Sequence, residues 1–186
     1  MIRPASLIPE HLAEIDSIQL LSGGHEPDHQ FCALELLAYL AGEKHSAHPR
    51  CASDVLGAFV RPVNDWMTDK ERQQLKPYVV RMFGTVGTRT QEQQRAFMLA
   101  DWAIHFAAPM ALRARGLTAR ADTLAALPAV SNKATARAAA DTAAYAARAA
   151  ASAAARQEII ASTLGLLDKL IDVTNAPELQ AARGEA

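Results

Sequence analysis

Aromatic side chains make up only 5 % of this 186-residue chain, cysteine occurs twice, and neither sign of charge prevails, with 19 Lys plus Arg against 20 Asp plus Glu for a formal net charge of -1. That balance argues against a strongly basic nucleic-acid binder. No apolar run approaches the roughly 18 to 20 residues of a bilayer span, and the opening MIRPASLIPEHLAEI lacks the basic-then-apolar pattern of a secretory leader. The sequence therefore reads as cytoplasmic and without a membrane partner. β-branched residues never gather into an alternating run of strand length, so the helical template fits nearly everywhere. With half of the residues apolar, disorder is a poor description as well.

These features predict an all-α fold: a compact bundle of about seven or eight helices in a single domain over residues 1–175, with a frayed tail at 176–186. Pro9 suits a first helical turn, and Leu12, Ile15, Ile18, Leu20 and Leu21 continue at near-helical spacing up to Gly23-Gly24. The run Phe31 to Ala41 is apolar all round and ends at Gly42, which predicts a central helix. Ser53 caps a helix through Val60 that Asn64 and Asp65 should break, and Thr68 with Glu71 spells a capping box. Thr90 with Gln93 spells another, opening a helix from Gln91 to about Ala107 whose apolar face is Phe97, Ala100 and Ile104. Pro109 bends or restarts the chain, a short helix follows near Ala119 to Ala126, and a long one runs from about Lys133 to Val173. Only Gly165 interrupts that last pattern, at a cost of about 1 kcal/mol.

Within the last helix, 15 of the 23 residues from Ala134 to Arg156 are alanine. Six of the eight exceptions, Arg137, Asp141, Tyr145, Arg148, Ser152 and Arg156, share one stripe at helical spacing. One reading is a solvated face supported by pairs such as Arg137 with Asp141. Another is a groove for a small anionic ligand or an acidic protein partner, with Arg137, Arg148 and Arg156 as forked donors and Tyr145 as a stacking surface. A seam between copies in a homo-oligomer is a third. Charge along the chain fits an anionic partner for the middle helices, since residues 1–60 carry -5, residues 61–160 carry +6 and residues 161–186 carry -2.

The chemically densest stretch holds both cysteines and four of the six histidines within 27 residues: His25, His29, Cys32, His45, His48 and Cys51. His25-Glu26-Pro27-Asp28-His29 matches the H-E-x-x-H zinc motif by letter only, because Pro27 breaks the continuous helix that would bring both imidazoles to one metal. His29-x-x-Cys32 and His48-x-x-Cys51, fifteen residues apart, have the spacing of a structural zinc site, with His25 or His45 as substitutes. Alternatively, Cys32 at a helix N-terminus is a thiol nucleophile with a lowered pKa, His25 or His48 as base and Glu35 as orienter, which describes a metal-dependent or thiol hydrolase. A Cys32 to Cys51 disulfide conflicts with the cytoplasmic reading, and Cys32 as an ordinary buried apolar group is the plainest account. Glu43, at a helix end where the dipole disfavours it, calls for a partner such as Arg50 or a metal. Asp101 and His105 lie one turn apart, which suits an ion pair.

Ser22-Gly23-Gly24-His25, Cys32, Glu35, Ala41-Gly42-Glu43, Ser46, Pro49, Cys51 and Asn64-Asp65, followed by Gly87-Thr88-Arg89, Asp101-Trp102 and Leu127-Pro128, resemble an uncharacterised group of actinobacterial and phage proteins that likewise end in an alanine-rich helix. The resemblance spans roughly residues 20–155 and implies a context rather than a chemistry. It favours His25, Cys32, Glu35 and Cys51 over His29. Taken together, the sequence points first to a non-enzymatic binding or interaction protein, with the Cys/His loop as a structural staple and the arginine stripe as its binding surface. A helix-turn-helix regulator ranks last, for want of a compact basic recognition helix.

Overall fold

The computed structural model describes residues 6–25, 30–131 and 153–174, and these are helical with one isolated β-bridge between Leu20 and Phe31. The all-α expectation holds. No helix among the described residues is long and apolar enough to cross a membrane. The chain divides into two compact units, Met1–Glu92 with Ile171–Ala186, and Gln93–Leu170.

In the first unit, α1 (Pro9–Ala13), α2 (Ala33–Leu40), α3 (Asp54–Trp66), α4 (Asp69–Arg72) and α5 (Lys76–Arg81) surround the predicted apolar centre. Ala33, Leu34, Leu36, Leu37, Ala38 and Leu40 of α2 are all buried, and α2 packs on α1, α3 and α5. Fully burying a leucine contributes about 1.5–3 kcal/mol, so this one short helix anchors the unit.

Three local readings are corrected. The first helix stops at Ala13 instead of running to Leu21. Leu20 and Leu21 are extended, and three of their backbone groups are met by side-chain amides: Gln73 accepts from Leu20 N and donates to Leu20 O, both at 3.0 Å, and Asn64 donates to Leu21 O at 2.9 Å, while Leu21 N donates to Phe31 O at 2.9 Å. Asn64 does not break α3, because its side chain turns inward to accept from Ala33 N while Arg72, 3 % exposed, donates to the carbonyls of Asn64 and Met67 that the helix end leaves open. The capping box of α6 (Arg89–Trp102) is Thr88 with Gln91, not Thr90 with Gln93. The box at Thr68 and Glu71 is where the sequence places it. Residues 171–174 return to this unit, where Gln91 Nε2 donates to Val173 O and the Thr174 hydroxyl donates to Thr85 O, each at 3.3 Å.

In the second unit, α6 passes into a π-helical turn over Ala103–Ala107, then α7 (Ala108–Arg113) and α8 (Thr118–Ala125), with α9 (Ala153–Asp172) supplying residues up to Leu170. Pro109 explains the wide turn: it offers no N–H to the carbonyl of residue 105, and its ring crowds that carbonyl. Ala108, Leu112, Ala121 and Leu124 form one core, and Ile104 with Val130, backed by Phe97 and Ala100, another. Arg95, fully buried, donates from Nε to Leu170 O at 2.8 Å, and Trp102 Nε1 donates to Ser162 Oγ at 2.7 Å. These two bonds fix α6 and α9 as antiparallel.

Candidate functional site

In the first unit the predicted residues converge on Glu35 rather than on each other. Glu35 Oε2 accepts from Cys32 N at 2.8 Å and lies 3.0 Å from His25 Nδ1, while Oε1 accepts from His25 N at 3.0 Å and lies 3.6 Å from His45 Nε2. His45 Nε2 also meets His25 O at 2.8 Å. Burial alone would raise the Glu35 pKa, but the donors on Cys32 and His25 outweigh it and hold the carboxyl below its ordinary value. Glu35 thus staples the loop at Gly24-His25 onto the N-terminus of α2.

The activation expected of Cys32 is reversed. Burial, reinforced by the Glu35 charge, pushes its thiol up to about 11, and only 2 % of the residue is exposed. The helix dipole is outweighed, because desolvation penalises the thiolate and the nearest side-chain charge has the same sign. Cys51 is separate: burial and Glu43 push its thiol up to about 12. Glu43 Oε2 accepts from Arg50 N at 2.6 Å, so the partner inferred for it is the Arg50 backbone. His48 Nδ1 faces an Arg61 guanidinium nitrogen at 3.1 Å. Both cysteines are free thiols. Among the described residues no group of three or more His, Cys, Asp or Glu side chains is placed to hold a metal ion, and His29 lies outside those residues. Arg137, Tyr145 and Arg148 also lie outside the described residues, and Arg156 is half-buried on α9.

The second unit holds what the sequence reading missed, a cavity of about 580 Å³ between α6 with its π-turn and α9. Met98, Asp101, Trp102, His105 and Phe106 line one wall, and Ser162, Gly165, Leu166 and Lys169 the other. Each set follows the i, i+3, i+4, i+7 spacing of a single helix face. Trp102 and Phe106 stack with ring centroids 6.3 Å apart, and the indole is pinned to Ser162. One turn beyond Ser162 comes Gly165, where an added Cβ meets nothing within 4 Å among the described residues. Lys169, exposed at the Met98 end, makes no ion pair among the described residues. Asp101 and His105 do pair, at 3.2 Å. Their i, i+4 spacing and the interior Gly165 were the sequence signals for this region, and neither tells of a cavity.

Comparison with family models, with curated proteins and with solved structures finds no match for the chain.

Proposed function

We propose that this is a non-enzymatic binding protein that holds a small organic anion in the cavity between α6 and α9. Gly165 carries the reading. A glycine inside a helix costs about 1 kcal/mol relative to alanine, and here it gives onto open space beside the aromatic wall. A planar group fits the stacked Trp102 and Phe106, and Lys169 supplies a positive charge for its acidic substituent. Apolar walls with a few polar groups are the common form of a small-molecule site.

The test uses 2-naphthoate as probe and Trp102 fluorescence as readout, in a Trp66→Phe background. Saturable quenching is expected, weakened about fivefold by Lys169→Gln, the equivalent of about 1 kcal/mol. Gly165→Leu projects a side chain into the cavity beside the aromatic wall and should abolish quenching while raising the melting temperature. Unchanged binding by Gly165→Leu would remove the proposal.

A further inference from the structure

His105 lies in the π-turn with both ring nitrogens against oxygen atoms. Nδ1 is 3.0 Å from Asp101 O and 3.2 Å from Asp101 Oδ1, and Nε2 is 2.8 Å from the carbonyl of Leu127. A carbonyl or an ionised carboxylate can only accept. A neutral imidazole has a single N–H, which the carbonyl and the carboxylate of Asp101 together favour at Nδ1, so Nε2 would turn its lone pair on the Leu127 carbonyl. The imidazolium has two and satisfies both sides. Asp101 completes the arrangement, because its Oδ1 also accepts from Val130 N at 2.8 Å. Two residues one turn apart therefore grip the carbonyl at one end of segment 127–130 and the amide at the other, while the Val130 side chain is buried against Ile104.

We propose that His105 is a proton-operated latch: protonated, it fastens segment 127–130 and adds positive charge to the cavity wall, and on losing its proton it releases the segment and weakens anion binding. The second half rests on the cavity being an anion site; the first does not. The charged surroundings agree. Asp101 favours the imidazolium from its own helix, Lys169 of α9 opposes it from elsewhere on the same cavity, and segment 127–130 presents only backbone groups. On α7 and α8, which pack on the π-turn, Arg113 and Asp122 neutralise each other at 2.6 Å, and Arg120 of α8 and Arg115 of the intervening turn add positive charge. The Leu127 carbonyl, followed by Asp101, holds the imidazole pKa above its ordinary value in spite of burial. The latch is thus closed below about pH 6.5 and opens as pH rises through the elevated folded-state value.

Two measurements on the full chain test it. In the ligand-free protein, the protection factor of the Val130 amide should fall about tenfold or more as the His105 ring resonance titrates, with a midpoint above the ordinary histidine value. In His105→Gln, whose amide still donates but does not titrate, it should stay flat with pH. Constant Val130 protection through the wild-type titration, or a midpoint at or below the ordinary value, overturns the latch. With 2-naphthoate, the wild-type dissociation constant should rise severalfold between pH 6 and pH 8, and that of His105→Gln should not. A pH-independent constant overturns the coupling and leaves the binding reading intact. A working latch with no naphthoate binding at any pH overturns the binding reading and the coupling, and upholds the latch alone.

Discussion

Glu35 is 3 % exposed yet remains the charged form, because its two oxygens are met by the backbone N–H groups of Cys32 and His25 and by the His25 imidazole. A glutamine in its place presents an amide NH₂ to some of those donors. Glu35→Gln should therefore destabilise the protein by about 2–4 kcal/mol in urea unfolding, and an unchanged midpoint would contradict this role. The pH dependence has a definite sign. With the folded-state pKa lowered, the stabilisation is fully present above about pH 4.5 and is lost as pH falls through the depressed value. The variant should lose that part of the acid dependence. The neighbouring thiol has the opposite bias: at about 11 it stays protonated throughout the neutral range, so wild-type Cys32 should react slowly with thiol reagents until the fold is opened.

Among the elements, those legible in the sequence were the ones whose cause is local. The apolar helix 33–40 and the capping box at Thr68 and Glu71 both follow from neighbouring residues. The misread elements depend on residues distant in the chain. Leu20 and Leu21 show helical spacing, but their hydrogen bonds go to Phe31, ten positions away, and to Gln73 and Asn64, more than forty away. Asn64 looks like a breaker until Arg72 caps the carbonyls behind it. The candidate site was legible in the same partial way. Cys32, His25 and Glu35 do meet, around the Glu35 carboxylate, and no spacing rule would have placed that carboxylate at their centre. The cavity was hidden because its walls come from helices more than fifty residues apart. At α6 two overlapping patterns compete, so Thr88→Ala should cost about 0.5–2 kcal/mol in thermal or urea unfolding and Thr90→Ala almost nothing. Equal effects would refute the assignment of the cap.

At the scale of the whole molecule, the first unit is built from two separated stretches of chain. Ile171 and Val173 are buried, at 2 % and 5 % exposure, Val173 O accepts from Gln91, and Arg81 lies 3.8 Å from Asp172. Burial of two such side chains contributes about 3–6 kcal/mol. A chain ended after Leu170 should lose amide protection in α2 while α7 and α8 keep theirs. Uniform loss, or none, would show that residues 171–174 do not close the unit.

This returning segment imposes an order on synthesis. Thr85 and Gln91 leave the ribosome long before Val173 and Thr174, with the whole of the second unit translated in between. Until then the nascent first unit presents the apolar surface that Ile171 and Val173 later cover, the kind of transient exposure that makes an unfinished fold prone to aggregate.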